Sequence, residues 1–398
     1  MTPDRRPPPP GGPLQSDRMP QAEPSAASAY RSAARRSAVL VALIRSEVEH
    51  SPEGRITFAR FMEFALYEPR LGYYRQTADR PTDAGDFLTA PETHAIFGWT
   101  LARRIEQMWV ELGRPLPFSL IEYGAGSGTL ALSILEGFRR HGLIDLLEAV
   151  RYRPIESNLN RLADLRHRFD EAGLSGVLEP AAQSNEPVAG IVLANEFLDA
   201  LPVHRAVLRG GKLLELYVVW RDGFAEVAAE PSTRELAARL ADDGVELAEG
   251  QVVEICLGLG PWFEEVAGHL ARGYLMVIDY GYEAAELYGP RHLAGTLLGY
   301  RGHRVVESPF ADPGLTDLTA HVDFTAVAQL AAQRGFSAQL LATQQEFLVA
   351  SGLESELQTL QASPDLTLAE YTRARSGIVR MLDPRHMGRF RVLVAERS

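Results

Sequence analysis

Two groups of residues have the types and spacing to do chemistry. The first is Glu122-Tyr-Gly-Ala-Gly-Ser-Gly128, three glycines at alternate positions behind an acid. Glycines there let the backbone approach a ligand without Cβ clashes. A dinucleotide-binding turn needs Gly-x-Gly-x-x-Gly, which sets a pyrophosphate on the N-terminus of the next helix. Here Thr129 stands where that third glycine would be. A second acid, Glu156, falls near the expected end of the following strand, where a carboxylate accepts hydrogen bonds from ribose hydroxyls. The pattern therefore suits a nucleoside ligand with no phosphate to cradle. S-adenosylmethionine fits it: Glu156 serves the ribose, and Glu122, Gly124, Gly126 and Gly128 form the turn beside its amino-acid end. Taken singly, each feature has a plainer reading, a tight connection for the glycines and a solvated strand end for Glu156.

The second group is Asn195, Glu196 and Asp199. It follows Gly190-Ile-Val-Leu-Ala194, an apolar run that reads as a buried strand. In a helical turn 195 and 199, and likewise 196 and 199, share a face, at the end of a central strand where open α/β sheets bind ligands. Two carboxylates and an amide can hold a cationic nitrogen and aim its lone pair at a methyl carbon. The plainer reading is an Asn/Asp turn that caps the next helix. His204, His303 and His321 are the available bases, and none is singled out by its neighbours.

The elements around these groups are readable from period and turn signals. Phe118-Ser-Leu-Ile121 is a short apolar strand, and Thr129 to Arg140 is a helix with Leu130, Ile134 and Phe138 on one face. A second strand ends at Glu156, although Pro154 removes a ladder donor. Leu159 to Ala172 is helical, and a third strand near Val177 is poorly marked. Strand five is Tyr274-Leu-Met-Val-Ile278, which exits into Asp279-Tyr-Gly281. Segments at 338–341 and 390–394 supply the closing hairpin of a seven-stranded sheet. Before this core, Ala34 to Glu49 reads as a helix. Phe58, Phe61, Phe64 and Tyr67 form an apolar stripe, and Glu92 to Leu112 reads as one further helix. Between Val203 and Val227 the pattern alternates, with Gly210-Gly211 and Asp222-Gly223 as hairpin turns. The expected organisation is a disordered tail over 1–33, an N-terminal helical cap over 34–116 and a first core segment over 117–202. A mostly antiparallel insertion over 203–255 and a second core segment over 256–398 complete it.

Composition narrows the function classes. Across 398 residues, 52 acidic against 40 basic side chains give a formal net charge of -12, which argues against a duplex nucleic-acid binder. A single cysteine, Cys256, excludes an intrachain disulfide and any Cys-x-x-Cys metal site. The histidines show no ligand spacing, so no metal is expected. No apolar run approaches the ~20 residues that span a bilayer, so a soluble protein is expected. Arg31 to Arg36 resembles the end of a mitochondrial presequence. Asp4, Asp17, Glu23 and the Pro7 to Pro10 run fit one poorly, and a bacterial tail explains the same composition.

Together the motifs resemble the MidA-like methyltransferases, which include mitochondrial complex I assembly-factor protein-arginine methyltransferases and bacterial relatives. The resemblance is carried by Gly54-Arg-Ile-Thr-Phe58, Tyr67-Glu-Pro-Arg-Leu-Gly-Tyr-Tyr74, Gly85-Asp-Phe-Leu-Thr-Ala-Pro91, Phe97-Gly98, the glycine turn and Ala194 to Pro202. Further on it is carried by Ile278-Asp-Tyr-Gly281, Gly295 to Arg304, Asp317 to Phe324 and Met387-Gly388. Ser127 and Pro154 depart from the family pattern. The resemblance implies an α/β, Rossmann-like class I methyltransferase fold with S-adenosylmethionine at the glycine turn. It adds Asp86 and Thr89 to the donor-binding residues, and it implies a protein arginine, carried in mitochondrial members by a complex I subunit, as acceptor. Asn195, Glu196 and Asp199 would then be catalytic. The location implied is the cytoplasm of a bacterium, or the mitochondrial matrix of a eukaryote. Other acceptors and roles stay open: a small oxygen or nitrogen nucleophile, or a donor-binding assembly factor with little catalysis. An adenine-specific nucleic-acid enzyme is disfavoured, because Asn195-Glu-Phe-Leu lacks the Asp/Asn-Pro-Pro-aromatic arrangement.

Overall fold

The computed structural model describes residues 26–76, 89–179, 186–302, 304–364 and 366–398. Its centre is a six-stranded sheet of β1 (Phe118–Tyr123), β2 (Val150–Ile155), β3 (Val188–Asn195), β4 (Leu270–Asp279), β5 (Ser337–Thr343) and β6 (Arg391–Arg397). The order across the sheet is β5-β6-β4-β3-β1-β2. β2, β1, β3 and β4 run parallel, whereas β6 is antiparallel to both β4 and β5. Among the described residues the seventh position beyond β2 holds one parallel bridge, Tyr152 with Leu178, secured by the Glu179 N–H on the Tyr152 carbonyl at 2.8 Å. This is the poorly marked segment of the sequence. β2 carries Pro154, which offers that open edge no N–H.

The parallel strands are apolar on both faces because helices cover both. Leu120, Ile191, Leu193, Met276 and Ile278 face one layer, which contains Phe97, Leu101, Ile105, Leu130, Ile134 and Phe138. The alternate residues Ile121, Val192, Ala194, Leu275 and Val277 face the other, with Trp262, Phe263, Phe324 and Val327. The period of two along each strand thus sorts the core into two halves.

Several elements differ from the sequence reading. The first helix is Ala26–His50, so residues 26–33 are its opening turns rather than part of a tail; their alanines favour helix. The helix expected over 92–112 is two, Ala90–Thr93 and Ile96–Glu111. His94 between them is extended, and its Nδ1 accepts the Ile96 N–H at 3.0 Å, so the imidazole satisfies one of the N–H groups left open at the start of the second helix. The expected N-terminal cap is also divided between two sites. Ala26–His50 and Phe58–Tyr67 pack with Val203, Val218 and Leu318, whereas Ile96–Glu111 packs on Thr129–Arg140 in the core. Three helices after β5, Gln344–Ala350, Leu353–Gln361 and Leu368–Leu382, had no counterpart in the sequence reading. The second of them is tied to the core by Glu356, whose Oε1 receives both Arg103 and His141.

The antiparallel excursion is present. Strands His204–Arg209, Lys212–Trp220, Phe224–Ala229 and Val252–Ile255 form one sheet, joined by a short strand, Ile56–Thr57, from the N-terminal region. Gly210 and Gly211 at φ 58° and 72° make the first hairpin turn.

Candidate active site

Glu122 is the penultimate residue of β1 and is 4% exposed. The Tyr152 hydroxyl donates to its Oε2 at 2.5 Å, and burial pushes this carboxyl up to about 7. The turn that follows needs its glycines for two distinct reasons. Gly124, Gly126 and Gly128 all have positive φ, at 68°, 55° and 77°. A Cβ on Gly128 would lie 2.8 Å from Leu165 Cγ, and one on Gly124 would lie 3.0 Å from Phe197 Cδ2. At Gly126 nothing stands closer than 3.9 Å, so the space beside it is cleft rather than protein.

Glu156 immediately follows β2, as the sequence predicts. Its Oε2 accepts the Gly126 N–H at 2.9 Å and its Oε1 the Asn158 N–H at 2.7 Å. Asn158 in turn caps Leu159–Glu171 through Oδ1 and donates Nδ2 to the Tyr74 carbonyl at 2.8 Å. The acid expected to hold a ribose is therefore clamped to the glycine turn itself. Thr89 lines the same cleft, and its N–H meets Glu92 at 3.2 Å. Asp86 and His303 lie outside the described residues.

Asn195, Glu196 and Asp199 do converge at the end of β3, but no helical turn brings them together. Asn195 is the last strand residue, Glu196 is left-handed at φ 49°, and Leu198–Ala200 is a 3₁₀ turn. A non-glycine residue in that region is uncommon and costs roughly 1–2 kcal/mol. The surrounding structure holds it there: the Glu196 N–H donates to the Ile278 carbonyl at 2.8 Å. Oε1 of Glu196 accepts from the Ala90 N–H at 3.0 Å and from Asn195 Nδ2 at 3.3 Å. Asp199 Oδ2 accepts from the Tyr280 hydroxyl at 2.5 Å and the Thr319 hydroxyl at 2.8 Å.

The capping role that Asp199 might have filled belongs to Asp279, at the end of β4. Its Oδ2 accepts the N–H groups of Phe197, Leu198 and Asp199 at 3.1, 2.9 and 3.3 Å, and its Oδ1 that of Tyr280 at 2.9 Å. This leaves three buried acceptor oxygens without a partner: Asn195 Oδ1, Glu196 Oε2 and Asp199 Oδ1. Crowding acids away from water raises them all. Glu196 is pushed up to about 8 by burial, with the charges of Asp199 and Glu92 adding to it. Asp199 is raised by burial, and Asp279 is raised by burial and by the charges of Asp199 and Glu196.

Aromatic side chains complete the wall. Tyr67 and Tyr74 stack with centroids 5.6 Å apart, their hydroxyls donating to the Ala200 carbonyl and to Asp317 Oδ1, each at 2.8 Å. Burial holds both phenols neutral. The glycine turn, Glu156, the 195–201 turn and these tyrosines line one cleft of about 860 Å³. Among the described residues lining it there is no histidine. His204 Nδ1 instead meets Glu215 at 2.8 Å, and burial pushes His321 down to about 4. Among the described residues no group of three or more His, Cys, Asp or Glu is placed to hold a metal.

The sequence reading missed Tyr280, Thr319, Tyr67 and Tyr74 as site residues, and Asp279 as their organiser. Asp279-Tyr280 carried a local signal, since it leaves a central strand at the same sheet edge as Asn195. Tyr74 and Asp317 carried none, being 243 residues apart.

A sheet with the order β5-β6-β4-β3-β1-β2, its antiparallel β6, and a nucleoside-sized cleft over the glycine turn define a methyltransferase that uses S-adenosylmethionine. Comparison with known proteins bears this out. Residues 100–341 match the family model described as "Putative S-adenosyl-L-methionine-dependent methyltransferase", and the chain belongs to that family. A Burkholderia thailandensis protein crystallised with S-adenosyl-homocysteine is 30% identical and superposes with a TM-score of 0.81, over 92% of this chain and 94% of that one. The Drosophila melanogaster protein named "Protein arginine methyltransferase NDUFAF7 homolog, mitochondrial" is 28% identical over 371 residues, 85% of this chain and 81% of its own. The Danio rerio "Protein arginine methyltransferase NDUFAF7, mitochondrial" is 29% identical over 342 residues, 78% of this chain and 76% of its own. No helix among the described residues is long and apolar enough to cross a membrane.

Proposed function

We propose that this methyltransferase acts on a guanidino nitrogen of a protein arginine. The observation that carries the proposal is the set of three unpartnered, buried acceptor oxygens on Asn195, Glu196 and Asp199, beside the donor turn. A guanidinium is a planar fork of five N–H donors with no acceptor, and it complements such a set. The tyrosine faces of the cleft favour the same cation. Glu122, Glu156 and the glycine turn would hold the donor, which supplies an electrophilic methyl group when bound. Glu196 and Asp199 would pair with the guanidinium and Asn195 would orient it. An arriving cation favours the ionised form of the raised carboxyls, so binding and charge pairing reinforce one another. Arginine titrates far above neutrality, so orientation and proton loss coupled to transfer must stand in for a free base.

The names of the Drosophila melanogaster and Danio rerio relatives, both protein arginine methyltransferases, support arginine as the acceptor. As finer proposals, a complex I subunit as its carrier follows from the resemblance in sequence, as does a location in the bacterial cytoplasm or, in a eukaryote, the mitochondrial matrix.

Glu196→Gln is the test. The amide would set an N–H₂ against the guanidinium donors and remove a charge-assisted bond of about 1.5–3 kcal/mol, so turnover on an arginine peptide should drop at least tenfold with donor affinity unchanged. Full turnover in that variant would rule out the role given to Glu196.

A further inference from the structure

Between Gly126 and Gly128 the donor turn has one side chain, Ser127. With a glycine at positive φ on either side of Ser127, this stretch loses more conformational freedom on ordering than one without glycine would. Something must fix it, and Leu159–Glu171 does so by two means. Leu165 and Phe169 fill the space against Gly128, at 2.8 and 3.1 Å from where a Cβ would be. Arg168, half-buried one residue away on the same helix, sends Nη1 to the Ser127 carbonyl at 2.9 Å, the Ser127 hydroxyl at 2.8 Å and the Thr129 hydroxyl at 2.8 Å. One nitrogen thus joins the backbone and side chain of the turn to the first residue of Thr129–Arg140. Ser127 and Thr129 line the cleft, whereas Arg168 stands behind them.

Two helix dipoles act on this cation in opposite senses: it lies in the last turn of Leu159–Glu171, where that helix favours it. A cation beside the N-terminus of Thr129–Arg140 opposes the helix dipole, an unfavourable term of about 0.3–1 kcal/mol. The hydrogen bonds from Arg168 Nη1, by contrast, all fall on the residues that shape the donor pocket.

We propose that Arg168 is a positioning residue for S-adenosylmethionine, holding the glycine turn in its binding conformation through Ser127 and Thr129 without touching the donor. Because a preformed loop has less entropy to lose, removing the clamp should appear in donor affinity.

Calorimetric titration of the full chain with S-adenosylmethionine and with S-adenosyl-homocysteine tests this, alongside thermal unfolding without ligand. No acceptor is needed, so the result is independent of the arginine proposal. Arg168→Met should weaken both ligands about tenfold, from loss of a charged hydrogen-bond set, and Arg168→Lys should recover part of it. The double variant Arg168→Met with Ser127→Ala should bind no more weakly than Arg168→Met alone, since both changes remove one contact. Ligand affinities within about twofold of wild type in folded Arg168→Met, or effects that multiply in the double variant, would overturn the proposal. A merely structural role would lower the unfolding temperature and leave affinity at lower temperature unmoved. If Arg168→Met does not fold, Ser127→Ala decides: about threefold weaker binding supports the clamp and unchanged binding overturns it.

Discussion

Gly126→Ala and Gly128→Ala introduce the same methyl group into the same turn, and the structure assigns them different consequences. Both positions are left-handed, at φ 55° and 77°, so each alanine costs roughly 1–2 kcal/mol of folding stability. At Gly128 the new Cβ would also meet Leu165 Cγ at 2.8 Å and Phe169 Cε2 at 3.1 Å, both on buried side chains. Overpacking of that kind adds about 1–3 kcal/mol, giving about 2–5 kcal/mol in all. That is a large part of the ~5–15 kcal/mol that holds a typical domain folded. At Gly126 no such term arises, because nothing lies within 3.9 Å. The methyl group there projects into cleft space and should weaken the donor at least about tenfold, as an overpacked contact worth ~1.4 kcal/mol or more. Urea unfolding of the ligand-free variants measures the first effect. Calorimetry with S-adenosylmethionine, with NADH as the control ligand, measures the second. Equal loss of stability in the two variants, or wild-type donor affinity in Gly126→Ala, would refute the assignment of Gly128 to packing and Gly126 to the ligand.

Two further outcomes follow from the buried acids. Glu122 and Glu196 are held up to about 7 and about 8 by burial, against an ordinary value of 4.5. In that interval the folded chain keeps protons that the unfolded chain has lost, so ligand-free stability should fall as pH rises to about 8. The half-buried imidazoles His94 and His321 are lowered and act in the opposite sense below about 6.5, so the urea midpoint is to be followed from there upward. A midpoint that rises over this range would contradict the burial of these carboxyls. Asp279→Asn deprives the 197–199 turn of a carboxylate serving four backbone N–H groups. It should cost at least about 2 kcal/mol of stability and reduce turnover at saturating donor more than donor affinity. An Asp279→Asn enzyme with wild-type turnover would show that the turn holds Glu196 and Asp199 without it.

The sequence by itself determined what local chemistry determines. The strand and helix around Gly124, Gly126 and Gly128 are set by an apolar run, a turn that only glycine tolerates and a helical apolar face, all within about twenty residues. Glu156 could be placed because a strand of ordinary length ends there. Asn195, Glu196 and Asp199 stood out because they follow the most apolar strand. Tertiary structure decided the rest. Whether Asp199 caps a turn or faces a ligand depends on Asp279, which is 80 residues away in sequence and competes for the same backbone N–H groups. Pairing of Tyr74 with Asp317, and of Arg168 with Ser127, requires the chain to return across the sheet, and no period or turn signal reports that. Among the described residues the third strand is represented by a bridge at Leu178, on an edge where Pro154 offers no ladder donor. Local sequence sets which conformations a segment can hold. Which buried polar atom finds a partner, and which is left without one, is settled only when distant segments compete for the same donors.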